Sequence, residues 1–428
     1  MAEVAAGAGA VLAAEEVISR GVEVGVAGYL IAKPTMPLKA TFSMIANAFD
    51  DSTRRSLARS NHTLTVLGNN AYIFGGVTAQ GIAINDVHAV KLSPSGKPEP
   101  DYRLIPALPE EEDGKVPDAR SEHTACAYKN GILVYGGCDQ TRNLVDDGSL
   151  VWLFDPERAA WKSLSGANST STPAPRVNSQ LFADGEDLIL FGGSNKSSSN
   201  LSDVWRFKVD SGTWIELPSA PVTTTNAAFS NRILYLVSGS DPTSSQLHYM
   251  ELSSPSDERT WETFTFPTNP IIPGPRPRDQ GGFLPVSTGY GRNYLVYFLG
   301  ARKHISDSIE KSDDNGNTVE QWSDMWTLQI PSSPLEPKAT LSLSNAIKPA
   351  KIKDAIRSAI GTDSGKHRWA EVEVQPPSDL PIPEGKLHPG PRVSFGCDVM
   401  EDGKGIVFWG GENAKGELVG DGWIVRFE

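Results

Sequence analysis

The sequence predicts an all-β protein built from repeats, and three observations carry that prediction. One phrase, a short apolar run closed by a glycine pair, recurs as Ala71–Gly76, Ile132–Gly137, Leu188–Gly193 and Ile406–Gly411. Behind it an Asp precedes an aromatic or apolar strand, and tryptophans stand at matching places in several units. The 428 residues also include 40 glycines and 31 prolines at 39% apolar content, a balance suited to many short strands joined by turns around a large core. A fixed phrase recurring at this scale marks a repeat architecture.

The units can be followed in order. The first carries Ala71–Gly76, and the second continues from Ile132–Gly137 to Asp147, Trp152 and Trp161. The third is the clearest: an apolar strand from Asp187 to Gly193, a strand from Asp203 through Trp205 to Val209, and a last strand around Trp214. The fourth is degenerate, reading Leu234–Gly239 with Gln246-Leu-His in place of Asp-x-Trp, although Trp261 remains. The fifth reads Leu295–Ala301, then Asp324, Trp326 and Trp369, and the sixth ends on Asp421-Gly-Trp423. Glycines let strand ends crowd together without side-chain clash, and spaced tryptophans supply large buried area between neighbouring sheets.

These parts resemble the kelch family of β-propellers, of the galactose oxidase and kelch type. The resemblance implies a six-bladed propeller, with second glycines or their equivalents at Gly76, Gly137, Gly193, Gly239, Gly300 and Gly411. The interval from Gly300 to Gly411 is about twice a period of roughly 50 residues, so an insertion over residues 331–366 is expected inside blade five. It contains an amphipathic helical pattern, with Ile352, Ile356, Ala359 and Ile360 on one face before Gly361. The segment His367–Val374 reads as the fourth strand of that blade. Asp421–Phe427 matches a third strand, which leaves the last blade one strand short. The segment Leu38–Ile45 has strand character and is expected to close the ring there, removing most exposed edges. Residues 1–35 form a separate, partly helical segment in this reading, with a helix over roughly Val11–Ser19, and residues 36–428 form the propeller.

Charge and cysteine usage narrow the function classes. A formal charge of -13 disfavours nucleic acid and anionic membrane as partners. The N-terminal stretch lacks the basic start of a secretory signal and is too charged to span a bilayer. Cys126, Cys138 and Cys397 show neither disulfide nor metal spacing, which fits a reducing compartment, cytoplasmic or nuclear. No cofactor and no metal site is expected. Copper radical oxidases of the galactose oxidase type need a Tyr-Cys cross-link and His ligands, and no His cluster is evident. Plant specifier proteins carry Glu-x-x-x-Asp-x-x-x-His, whereas this chain offers Glu320 and Asp324 followed by Leu328.

An arginine precedes the first strand of five blades: Arg59, Arg120, Arg176, Arg278 and Arg392, with Thr225-Asn226 at the corresponding place in the fourth. The resemblance implies that ligands bind on this face, near the axial channel. Two readings of the arginines stay open. They form a partial ring of planar donors for carboxylate or phosphate groups, or they belong to the repeat and tie loops together through carbonyls and carboxylates. His62 and His123 occupy one blade position and are either acid–base groups in a channel or hydrogen bonds between blades. The loop Ala301–Trp322, with Lys303, His304, Glu310, Asp313 and Asp314, is the largest candidate lid.

The expected function is therefore a non-catalytic protein-interaction module or scaffold that binds an acidic partner segment on the arginine-bearing face. The alternative is a metal-free isomerase, mutarotase or lyase acting on a small anionic metabolite in the channel.

Overall fold

The computed structural model describes residues 37–45, 56–82, 84–92, 101–147, 149–165, 169–241, 244–253, 259–266, 274–276, 278–289, 292–302, 321–330, 369–376 and 388–428. Within them lie six antiparallel sheets in chain order, the six blades that the repeats predict. From the innermost strand outward, blade one is Thr63–Leu67, Asn70–Phe74, Val87–Lys91 and Tyr102–Ile105. Blade two is Thr124–Tyr128, Gly131–Tyr135, Val151–Asp155 and Ala160–Leu164, and blade three is Gln180–Asp184, Asp187–Phe191, Val204–Lys208 and Thr213–Leu217. Blade four, degenerate in sequence, still forms all four strands: Ala227–Ser230, Ile233–Asp241, Ser244–Glu251 and Glu262–Thr265. Blade five is Gly282–Gly289, Arg292–Phe298, Met325–Ile330 and Trp369–Glu371.

Blade six takes Gly396–Val399, Gly405–Trp409 and Gly422–Phe427 from the end of the chain and its fourth strand, Lys39–Met44, from the beginning. That strand runs antiparallel to Gly422–Phe427, with Ala40 opposite Phe427 and Met44 opposite Trp423. Ala40 and Phe42 face inward and join Val425 and Phe427 in the core. A fifth strand differs from expectation. His367–Val374 does not run as one piece: Trp369–Glu371 pairs within blade five, and Glu373–Gln375 crosses to pair in parallel with Lys39–Thr41. Val372 is the pivot. Its side chain is buried in the wedge between the two blades, its N–H donates to Met325 O, and the next N–H already donates to Leu38 O.

The core consists of six wedges, each shared by adjacent blades. Tyr72 and Phe74 of blade one pack with Trp152, Phe154 and Trp161 of blade two, and Val407 and Trp409 of blade six pack with Leu64, Ala71 and Ile73 of blade one. The last wedge closes the circle. The glycine pairs allow the close approach this demands: a Cβ at Gly75, whose φ is 64°, would lie 2.4 Å from Arg120 O of the next blade. Among the described residues no helix is long and apolar enough to cross a membrane. The helix expected over Val11–Ser19, the 331–366 insertion, and the lid residues Lys303, His304, Glu310, Asp313 and Asp314 lie outside the described residues.

Candidate functional site

Strand register fixes where the arginines sit. Arg176 stands four residues before Gln180, which pairs with Phe191, the last apolar residue before the glycine pair. Arg59, Arg120, Arg278 and Arg392 hold the same position relative to Thr63, Thr124, Gly282 and Gly396. All five are buried, with 0–2% of their surface exposed. Each guanidinium turns into its own blade. Arg120 Nη1 donates to Gly136 O at 3.0 Å and Asp147 Oδ2 at 2.7 Å; Arg176 donates to Gly192 O and to both carboxylate oxygens of Asp203 at 2.8 Å. Arg278 repeats this with Leu299 O and Asp324, and Arg392 with Gly410 O and Asp421.

The same carboxylates accept from an indole: Trp152 Nε1 to Asp147, Trp205 to Asp203, Trp326 to Asp324 and Trp423 to Asp421. Arg, Asp and Trp thus form a clasp that joins the entering loop to the third strand in blades two, three, five and six. Burial alone would raise the Asp203 and Asp421 carboxyls, but hydrogen bonding and charge from the arginine outweigh it and hold both below the ordinary value. Arg176 and Arg278 pair bidentately, the geometry the fork of Arg favours, while Arg120 and Arg392 reach their carboxylates through one nitrogen each. Blade one differs because His88 occupies the Trp position and meets Arg59 Nη2 at 2.9 Å through Nε2. Asp86 holds the aspartate position of this blade, but its Oδ1 accepts from Ala107 N–H at 3.3 Å and not from Arg59, and burial lowers the Arg59 pKa to about 10, Tyr102 opposing.

This geometry corrects the expectation of donors displayed at the channel mouth. Arg59, Arg120, Arg176, Arg278 and Arg392 are internal ties, and the alternative reading through carbonyls and loop carboxylates is the one their contacts match. The two histidines also bridge blades. Gly396 N–H of blade six donates to His62 Nε2 at 3.3 Å, and His123 Nε2 shares a 2.9 Å hydrogen bond with Thr63 Oγ1 of blade one. Burial, then the charge of Arg59, holds the His62 pKa well below its ordinary value; burial, then Arg120, pushes that of His123 down to about 3. Both are neutral at physiological pH, which suits a fixed hydrogen bond and not proton exchange in a channel.

The groups that reach the channel mouth stand two residues after each arginine: Asn61, Glu122, Asn178, Gln280 and Ser394. All five have left-handed backbone, with φ between 53° and 57°. Their peptide groups link neighbouring blades around the axis, Asn178 N–H to Glu122 O, Glu122 to Asn61, Asn61 to Ser394 and Ser394 to Gln280. This polar rim opens on a channel of about 650 Å³, which passes Thr63, Thr124 and Ser179 and then becomes apolar at Phe182, Phe229 and Leu284. Glu122 is paired with Arg142 and accepts from Asn178. Sequence reasoning missed this rim. Its signal was the fixed offset from each arginine, but side chains as different as Asn, Glu, Gln and Ser hide a conserved backbone conformation.

Asp398 also lines the channel. Its Oδ2 accepts from Val66 N–H at 2.8 Å and so joins blade six to blade one. Burial raises its pKa to about 6, against the lowering effect of the Val66 and Val399 N–H groups. The folded value lies above the unfolded one, so protonation favours the folded state. That contribution is fully present below about pH 4, where the free carboxyl titrates, and is lost as pH rises through 6. Asp398→Asn is therefore expected to gain stability relative to the native chain between pH 4 and 7, by on the order of 2 kcal/mol, and no further above pH 7. Chemical denaturation across that range measures the gap; a difference independent of pH would refute the assignment.

Among the described residues no group of three His, Cys, Asp or Glu side chains is placed to hold a metal ion. Comparison with known proteins places the chain by its repeats. The profile of the KLHDC2/KLHL20/DRC7 Kelch-repeats domain matches residues 61–284, just over half of the chain. The sequence is similar to acyl-CoA-binding domain-containing protein 4 of Arabidopsis thaliana, at 22% identity over 335 residues, 76% of this chain and 46% of that protein. It is also similar to putative adagio-like protein 2 of Oryza sativa subsp. japonica, at 31% over 172 residues, 38% of this chain and 25% of that protein. The chain spans less than half the length of both. Among solved structures, that titled "Structure of YjhT" superposes with a TM-score of 0.53 at 13% identity, covering 86% of this chain and 97% of its own, and shows the shared fold.

Proposed function

From a chain that belongs to the kelch-repeat family, whose propellers mediate protein interactions, we propose a non-catalytic interaction module that takes an extended partner segment across the polar mouth of the channel. The observation that supports this reading is the rim itself. Five side chains of varied chemistry stand on one cross-linked backbone arc, the arrangement by which a scaffold presents a recognition surface. An acidic segment was the expectation drawn from the arginines, yet their guanidiniums are taken up inside the blades. The reading keeps the interaction role and the face, and it moves recognition from the arginines to the residues two places on.

Selection of a random peptide library against the purified full chain tests it. Enriched peptides should bind tenfold or more weakly to Gln280→Arg, which adds bulk at the exposed rim, and equally well to Lys129→Ala in a hairpin turn between inner strands on the opposite face. Thermal stability should be alike in both variants. Failure of any peptide to enrich, or binding blocked only from the opposite face, would remove the reading.

A further inference from the structure

Blade four lacks the clasp, and the space it would fill is open. In this blade Val237 N–H donates to Asn226 O, so Asn226 stands where Gln180 stands in blade three. Four residues earlier is Val222, not Thr225 or Asn226, and Val222 takes the arginine's place. Ser238 occupies the position of the first glycine, and the register of Val237 with Leu247 puts Gln246 and His248 where blades three, five and six carry Asp and Trp. The backbone circle at the mouth breaks at the same point: Thr224, the sixth member, is absent from the left-handed set, and among the described residues no backbone hydrogen bond joins it to either neighbour.

A cavity of about 520 Å³ lies there, between blades four and five, with Val222 in its wall. Its polar lining is nearly all neutral oxygen and amide, from Thr223, Thr224, Ser238, Ser245 and Gln246. The charged exceptions are Arg278 and Asp279. Asp279 lines both the cavity and the channel mouth, and among the described residues its carboxylate has neither an ion-pair nor a hydrogen-bond partner. The adjacent Arg278 does not neutralise it, because that guanidinium is already engaged by Asp324.

We infer that this cavity receives an arginine side chain of a partner, whose guanidinium fills the place left by the blade's missing arginine and pairs with Asp279. The inference rests on the interaction reading above and names the chemistry that it recognises. Hydroxyl and amide acceptors around one carboxylate suit a planar group with five donors better than an ammonium, and the net charge of -13 draws a basic segment in.

The test has two arms, both on the full chain. In the first, Nα-acetyl-L-arginine amide and its neutral isostere Nα-acetyl-L-citrulline amide are titrated by NMR. The arginine compound should bind at least tenfold more tightly, lose tenfold in Asp279→Asn, and fail to bind Val222→Arg, which restores an internal arginine. Equal binding of the two compounds, or binding of the arginine compound that neither substitution weakens, overturns the inference. Asp279→Asn keeps the test decisive if Val222→Arg does not fold. In the second arm, library peptides that enrich without a fixed arginine, or that ignore Asp279→Asn, overturn the inference and leave the interaction role standing. If no peptide enriches while the arginine compound still binds the cavity, the interaction role falls and the guanidinium site remains.

Discussion

Arg176→Met is expected to destabilise the propeller by roughly 3–5 kcal/mol, the cost of leaving one partner of a buried ion pair behind. Asp203 would keep its indole donor from Trp205 but lose both guanidinium hydrogen bonds while remaining largely covered. Gly192 O would lose its side-chain donor as well. The same change at Arg59 should cost less, about 1–3 kcal/mol, because it strands only carbonyls, those of Ser56 and Gly75, and a neutral His88. Pairing Arg176→Met with Asp203→Leu should recover much of the loss, since it removes the orphaned charge. Urea unfolding of the three variants measures all of this. Equal losses at Arg176 and Arg59, or no recovery in the double variant, would show that the clasp does not work as an ion pair.

Thr41→Pro is expected to open the ring. Thr41 lies opposite Arg426 on one side and Gln375 on the other, so proline disturbs two ladders at once and removes a donor. The uncovered edge of Gly422–Phe427 would then be free to pair with another chain, which predicts self-association on size-exclusion chromatography. A peptide of residues 37–45 supplied in excess should reduce that association by occupying the edge. Phe42→Ala tests packing apart from pairing, with an expected loss of about 3–5 kcal/mol. A monomeric Thr41→Pro variant with unchanged melting temperature would mean that the closing strand contributes little.

The blades were legible because their signals are local. A glycine pair after four apolar residues and an Asp two places before Trp mark strand ends within a few residues of one another, and even the weak copy at Leu234–Gly239 folds as they require. The closing strand was legible by deduction, since a third strand at Asp421–Phe427 demanded a fourth. What the arginines face was not legible. Asp147 and Asp203 belonged to the strand signature and Arg120 and Arg176 to the approach loop, and only the folded blade brings the two sets within 3 Å. The gap in blade four was read one turn too late for a related reason: without strand pairing, Thr225-Asn226 looked like the arginine position, and Val222 passed for an ordinary apolar residue. The crossing at Val372 left no mark either, because Trp369–Val374 has strand composition throughout.

The joining of Lys39–Met44 to Gly422–Phe427 also has a consequence for biosynthesis. On the ribosome the early segment emerges long before its mate, and Ala40 and Phe42 must wait, wet and unsheltered, while five sheets are translated and assembled. Closure of the ring is thus bound to wait until Gly422–Phe427 has emerged, and a nascent polypeptide halted anywhere before Gly422 would leave a greasy, unmatched ribbon for chaperones to hold.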